Sequence, residues 1–121
     1  MGHVFQKVTL SAEHERDVAM LVDTGATYSL ISPDLADQLG VVRFPRKETV
    51  RLANGQQVEA DIGLVRVQVG DRAAATPALI AECDEPLLGV EALEALGLSV
   101  DPGTGDLKPT RGYAVRLGGL R

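Results

Sequence analysis

The chain has 121 residues, 45% of them hydrophobic, and this composition predicts one folded domain over residues 1–121. The net charge of −5, the scattered Lys and Arg residues and an aromatic content of 3% argue against a nucleic-acid partner. The sequence has no membrane-length apolar run, no signal-peptide core and one cysteine, Cys83, so we expect no membrane association and a cytoplasmic protein.

The first half of the chain predicts three short strands and a helix. The strands are expected at Val4 to Leu10, Val18 to Val22 and Tyr28 to Ile31, with a polar loop from Ser11 to Asp17. The helix follows directly, because Ser32 is a favoured N-cap, Pro33 suits the first helical position and Gly40 can end the helix.

The second half begins with a predicted hairpin. Asn54-Gly55 lies between Thr49 to Ala53 and Gln56 to Val58, and Asn-Gly favours a tight turn because both residues tolerate positive φ. Further strands are expected at Leu64 to Val69, Ala75 to Ala81, Leu87 to Gly89 and Leu98 to Asp101, and a second helix at Glu91 to Leu96. The core is expected to span about residues 4–107. The tail at 108–121 could add a strand, cover an interface or stay loose.

Two segments of the sequence resemble each other. Residues 30–41 and residues 87–98 both run from an apolar pair through a short helix to Leu-Gly and one apolar residue. This repeat predicts two related strand–strand–helix units, related by a pseudo-two-fold axis.

Asp23 is the first candidate for chemistry. The apolar strand ending at Val22 leads into this carboxylate, and a carboxylate at the end of a core strand is costly to bury unless it is hydrogen-bonded or shares a proton. The alternative is an ordinary strand-end Asp that caps a glycine turn, and the short motif alone leaves that alternative open.

Three features together resemble the retropepsin-like (retroviral-type, single-lobe) aspartic protease family. They are Leu21-Val22-Asp23-Thr24-Gly25-Ala26-Thr27, the later Asn-Gly hairpin, and Leu87-Leu88-Gly89 before a short helix. The resemblance covers about residues 4–107. It implies a mostly-β closed barrel with two short helices, a flap hairpin and an internal pseudo-two-fold repeat.

The resemblance also implies an activity, an assembly and a catalytic residue. The chain has one Asp-Thr-Gly, so the second carboxylate of the dyad would come from a second copy, which makes a symmetric homodimer. The two Asp23 carboxylates would share one proton and activate a water to hydrolyse a peptide or protein substrate. This chemistry uses neither a metal nor a cofactor.

The neighbouring residues receive roles by the same resemblance. Thr24 would hydrogen-bond across the two-fold axis, and Gly25 would let the backbone pass close to the carboxylates. Ala26 and Thr27 complete the active-site loop, with Ala26 at a position where pepsin-like cellular enzymes have Ser or Thr. Gly89 would pack beneath this loop.

The flap would be formed by the Asn-Gly hairpin. Ala53, Asn54 and Gly55 would close over the cleft and bind an extended peptide in β fashion.

The sequence also has features to be compared with those of classes other than an aspartic endopeptidase. Asp23 to Thr27 also fits the phosphate loop of actin-like and sugar kinases, but those enzymes need two large lobes. The two histidines, His3 and His14, supply neither a zinc helix motif nor a triad. A non-catalytic dimeric module for peptide binding or dimerisation stays open, although the intact Thr24 and Gly25 favour catalysis.

Overall fold

The computed structural model describes residues 4–51 and 55–110 of the chain. Nine strands and two helices lie in these ranges, and the structure is mostly β. No helix in this part of the chain is long and apolar enough to cross a membrane. The elements in chain order are β1 (Phe5–Ser11), β2 (Glu15–Val22), β3 (Ser29–Ile31), α1 (Pro33–Leu39), β4 (Arg43–Arg51), β5 (Gln57–Val69), β6 (Arg72–Ile80), β7 (Leu87–Leu88), α2 (Val90–Leu96), β8 (Leu98–Val100) and β9 (Leu107–Pro109).

Six strands form a closed ring of hydrogen-bonded neighbours. Their order is β1-β2-β7-β3-β6-β5, and antiparallel pairing of β1 with β5 closes the ring. Among the described strands, β4 pairs with β5 alone, and the two form a long hairpin whose last paired residues are Arg51 and Gln57. The resemblance therefore predicted the closed barrel and the flap hairpin correctly.

The ring has an internal pseudo-two-fold symmetry. The antiparallel β1–β2 pair corresponds to β5–β6, and the parallel β2–β7 pair corresponds to β6–β3. The axis runs between β1 and β5 on one side of the ring and between β3 and β7 on the other, where Leu30 pairs with Leu87. Helix α1 follows β3 as α2 follows β7, which confirms the repeat predicted from sequence.

Both helices end as the sequence predicts. Gly40 and Gly97 adopt left-handed conformations, with φ of 75° and 69°, and terminate helices of seven residues each. At the start of α1, the Ser32 side chain accepts a hydrogen bond from the Leu35 amide at 3.1 Å, and Pro33 occupies the first turn.

The main core fills the ring and extends to the inner faces of both helices. Alternation along the strands supplies it, since Val65 and Val67 are buried while their neighbours Leu64 and Arg66 are exposed. The fully buried large side chains come from both halves of the repeat: Val8, Leu10, Met20, Ile31, Leu39, Val65, Val67, Leu88 and Leu96.

Several strands start earlier than the sequence predicts. The expected polar loop from Ser11 to Asp17 is wrong at both ends, because Ser11 belongs to β1, and Glu15, Arg16 and Asp17 belong to β2 and pair with β1. Backbone pairing leaves their side chains in solvent, so no apolar pattern marks them. Strand β4 likewise begins at Arg43, in a stretch with no predicted element, and β6 begins at Arg72 instead of Ala75.

The chain continues past the predicted core with one further pairing. Strand β9 pairs antiparallel with β8, with Ser99 opposite Lys108. A turn from Pro102 to Gly105 lies between these strands, and Gly105 has a φ of 80°. The rest of the tail, residues 111–121, lies outside the described residues.

Candidate active site

Asp23 lies directly after β2, at the start of the loop that leads to β3. Its backbone N–H donates to the carbonyl of Leu88 at 3.0 Å, which ties the residue to the end of β7. One carboxylate oxygen, Oδ1, accepts from the Gly25 amide at 2.9 Å, and the Ala26 amide donates to the Asp23 carbonyl at 3.2 Å. These bonds fix the carboxylate while leaving it half-buried, beside the exposed Thr24.

Gly25 allows the loop to bend back onto the carboxylate. A Cβ atom at this position would lie 3.3 Å from Asp23 Oδ1, a tight contact with an atom that already accepts the Gly25 N–H. The turn formed by Asp23 to Ala26 therefore has the geometry of a capped glycine turn. The same geometry holds a carboxylate oxygen in a set direction.

Gly89 supports the loop from below by close backbone packing. A Cβ atom on Gly89 would lie 2.5 Å from the Tyr28 carbonyl oxygen and 2.9 Å from that of Ala26. Backbone atoms cannot rotate away as a side chain can, so only glycine fits between β7 and this loop.

The loop also caps helix α2. No side chain caps the start of this helix, and its first N–H groups have no acceptor within the helix. They donate to loop carbonyls instead: Val90 N–H to Ala26 at 2.8 Å and Glu91 N–H to Thr27 at 2.8 Å. The buried Ser29 hydroxyl completes the set by accepting from the Gly89 N–H at 3.1 Å. Sequence reasoning missed Ser29, because a serine in a short strand gives no local signal of what it bonds.

The flap hairpin covers one side of the loop. Gly55 has a φ of 89°, in the left-handed region that favours glycine, and no atom of the described residues lies within 4 Å of its would-be Cβ. Ala53 and Asn54, the other residues expected at the tip, lie outside the described residues. The arms below the tip pair Thr49 with Glu59 and Arg51 with Gln57.

A cavity of about 320 Å³ joins the loop to the flap. Of the loop residues singled out in the sequence, the structure brings Gly25, Ala26 and Thr27 into its wall, opposite the flap strand β4. Asp23 is not itself in the wall but is hydrogen-bonded to Gly25, which is. The lining residues are Gly25, Ala26, Thr27, Tyr28, Thr49, Arg51 and Leu79.

The pseudo-symmetric position of Asp23 carries no carboxylate. Ala81 follows β6 as Asp23 follows β2, and its N–H donates to the Ile31 carbonyl at 3.1 Å, matching the bond from Asp23 to Leu88. The two acceptors, Ile31 and Leu88, are themselves counterparts, since each is the residue directly before the N-cap of a helix. The described chain therefore presents one carboxylate at this place in the ring.

The loop after Ala81 is acidic and contains the cysteine. A second cavity, of about 400 Å³, is lined by Leu30, Leu87 and the four residues from Glu82 to Glu85. Burial raises the pKa of the Cys83 thiol, and the neighbouring carboxylates raise it further. A protonated thiol is a poor nucleophile. Within the described ranges, no group of three or more His, Cys, Asp or Glu residues could hold a metal ion.

This combination of closed β-barrel, Asp-Thr-Gly loop and overlying flap defines the class of retroviral-type aspartic proteases. The family described as "gag-polyprotein putative aspartyl protease" matches residues 8–95. The chain belongs to this family.

A solved structure gives the same result for the fold. EIAV protease complexed with the inhibitor HBY-793 superposes with a TM-score of 0.64 at 24% sequence identity. The match covers 79% of this chain and 89% of that chain. A comparison with curated proteins gave no match.

Proposed function

We propose that this protein is an aspartic endopeptidase whose active site forms between two copies of the chain. The observation that carries the proposal is that Ala81 occupies the position equivalent to Asp23 in the other half of the barrel. Of the two equivalent positions that directly follow β2 and β6, Asp23 carries a carboxylate and Ala81 does not, whereas hydrolysis without a metal needs both a base and an acid. A second copy, related by a two-fold axis, supplies the other Asp23.

The loop geometry favours this use of Asp23. The Gly25 amide occupies one oxygen of the carboxylate and leaves the other free for a water or for the partner's carboxyl. Thr24 is exposed in the single chain, so its hydroxyl is available to hydrogen-bond across the axis. Close packing of Gly89 against the backbone of Ala26 and Tyr28 fixes the position of the loop relative to the core.

Two close carboxylates do not ionise together, so the pair holds one proton. The ionised group takes a proton from the water as the water oxygen attacks the peptide carbonyl carbon. The protonated group gives its proton to the carbonyl oxygen, which produces a tetrahedral gem-diol. On collapse the C–N bond breaks, the nitrogen takes the proton that came from water, and one diol hydroxyl returns its proton to the other carboxylate.

The flap supplies the substrate cleft. An extended peptide can lie between the Asp23 loop and the β4–β5 hairpin, where Ala53, Asn54 and Gly55 would offer backbone hydrogen bonds. Closure of the hairpin would exclude bulk water from the two carboxylates, which strengthens their action on the bound water.

The test compares wild type with Asp23→Asn on a diverse peptide library from acidic to neutral pH. We expect cleavage by wild type and loss of cleavage in the variant, with an unchanged unfolding midpoint. Asp71→Asn is the matched control, because Asp71 is an exposed residue in the turn at the far end of the β5–β6 hairpin. Equal cleavage by wild type and Asp23→Asn would overturn the assignment.

The second candidate is a dimeric peptide-binding module with the same fold. The capped glycine turn of Asp23 favours it, since such a turn also serves a purely structural role. Tight binding of library peptides by wild type with no cleavage at any pH would select this reading.

A further inference from the structure

The cavity between the loop and the flap is lined mainly by polar groups, and the charged group among them is positive. Leu79 contributes the large aliphatic side chain of the lining. Hydroxyl groups come from Thr27, Tyr28 and Thr49, and Arg51 contributes a positive charge. No carboxylate belongs to the lining. A volume of about 320 Å³ is at the low end of ligand sites, which suits one side chain of a bound peptide.

Arg51 is not engaged by the protein within the described ranges. It has no ion pair and no side-chain hydrogen bond there, and it stands opposite the neutral Gln57 on β5. Glu59, two residues further along β5 and opposite Thr49, forms no ion pair with it. By contrast, the other two cations of β4 whose contacts are described both pair with Asp61: Arg43 at 3.6 Å and Lys47 at 2.6 Å.

We propose that Arg51 is a specificity-determining residue and that this cavity selects a peptide side chain bearing a carboxylate, Asp or Glu. The inference rests on the proposed function, because it takes the cleft between loop and flap as the peptide site. A guanidinium can hold a carboxylate with two parallel N–H donors, and the three hydroxyls can donate to the same oxygens. Leu79 would contact the aliphatic part of the side chain.

The position of the cavity also limits where on the peptide the acid lies. Gly25 and Ala26 belong both to the cavity wall and to the turn that holds Asp23, so the selected side chain is close to the scissile bond. In a two-fold dimer one such cavity stands on each side of that bond. The preference therefore falls on positions near the cleavage point, not on the ends of a long peptide.

The experiment uses sets of short peptides that are identical except at one position, which carries Glu, Gln or Lys. Comparing Glu with Gln isolates the effect of charge, because the two side chains have the same size. Binding is measured to full-length Asp23→Asn protein, and cleavage is measured with wild type. We expect at least one position near the scissile bond where Glu is preferred over Gln by about tenfold, the effect of one charge-assisted hydrogen bond. Lys should rank last there.

Variants of Arg51 assign the preference. In both backgrounds, Arg51→Ala should bring the ratio of Glu to Gln preference at that position to about one, and Arg51→Glu should favour Lys. Arg66→Ala is the matched control, since Arg66 is an exposed β5 residue bonded to Gln68 and outside the cavity.

Each outcome decides one of the two claims. If wild type cleaves nothing, the proposed function fails, while the binding arm still tests the subsite. If no position favours Glu over Gln, if no peptide binds, or if the preference survives in Arg51→Ala, the subsite is overturned even where cleavage is present.

Discussion

Ala81 occupies, in the second half of the barrel, the place that Asp23 occupies in the first. Both residues follow a ring strand, and both donate their backbone N–H to the last residue before a helix cap, at 3.1 Å and 3.0 Å. The scaffold is therefore duplicated within the chain but the carboxylate is not. This asymmetry is the physical reason for expecting the active site to need two copies.

The first prediction concerns Gly89. Gly89→Ala should lower the free energy of unfolding by about 1–3 kcal/mol, because the new methyl group overlaps the backbone of Tyr28 and forces the loop to shift. Urea unfolding monitored by circular dichroism measures the change. The control is Gly103→Ala, where the methyl group would meet only a side-chain oxygen of Asp101 at 3.3 Å. Equal stabilities of Gly89→Ala and wild type would show that the loop is not held from below.

The second prediction concerns Ser29. Ser29→Ala removes the acceptor for the buried Gly89 N–H, and an unsatisfied buried donor costs about 1–3 kcal/mol. We expect that loss in urea unfolding, with Ser99→Ala on β8 as the control. Wild-type stability in Ser29→Ala would mean that water or a shifted backbone satisfies the amide.

The third prediction is a pH dependence from Asp61. The hydrogen bond from Lys47 holds the pKa of the Asp61 carboxyl below its ordinary value, and the charges of Lys47 and Arg43 act in the same direction. Because the folded state favours the ionised form, the stabilisation is present above the unfolded-state pKa and is lost as pH falls through the lower folded-state pKa.

The stability difference between wild type and Asp61→Asn measures this effect. It should be constant near neutral pH and shrink below pH of about 4, the usual range of an Asp carboxyl. Unfolding midpoints from pH 7 downward provide the comparison. A difference that grows on acidification would contradict the assigned direction.

The elements flanking the site could be predicted from sequence because their signals are local. Ser32, Pro33 and Gly40 bound α1 through capping chemistry that needs no tertiary context, and the structure has each in the expected role. Asn54-Gly55 similarly predicted the β4–β5 hairpin from turn chemistry. The family resemblance added the closure of the barrel, which no local pattern indicates.

Other features depend on contacts between distant residues. Glu15 to Asp17 belong to β2 through backbone pairing with β1, which their polar side chains do not signal, so the prediction of a loop there was wrong. The equivalence of Ala81 to Asp23 follows from the pairing of β3 with β6, and Ser29 matters through an amide sixty residues away. The cavity with Arg51 likewise exists only once β4 folds over the loop.

Mixing wild type with Asp23→Asn tests the central claim most directly. The amount of wild type is held constant, an equal amount of variant is added, and the subunits are allowed to exchange. Random pairing then halves the number of dimers with two Asp23 carboxylates, so activity should fall to about one half of that of wild type alone. The control mixture of wild type with Asp71→Asn should lose no activity. Activity unchanged by added Asp23→Asn, after subunit exchange has been verified, would mean that each chain works alone and would contradict a site shared between two copies.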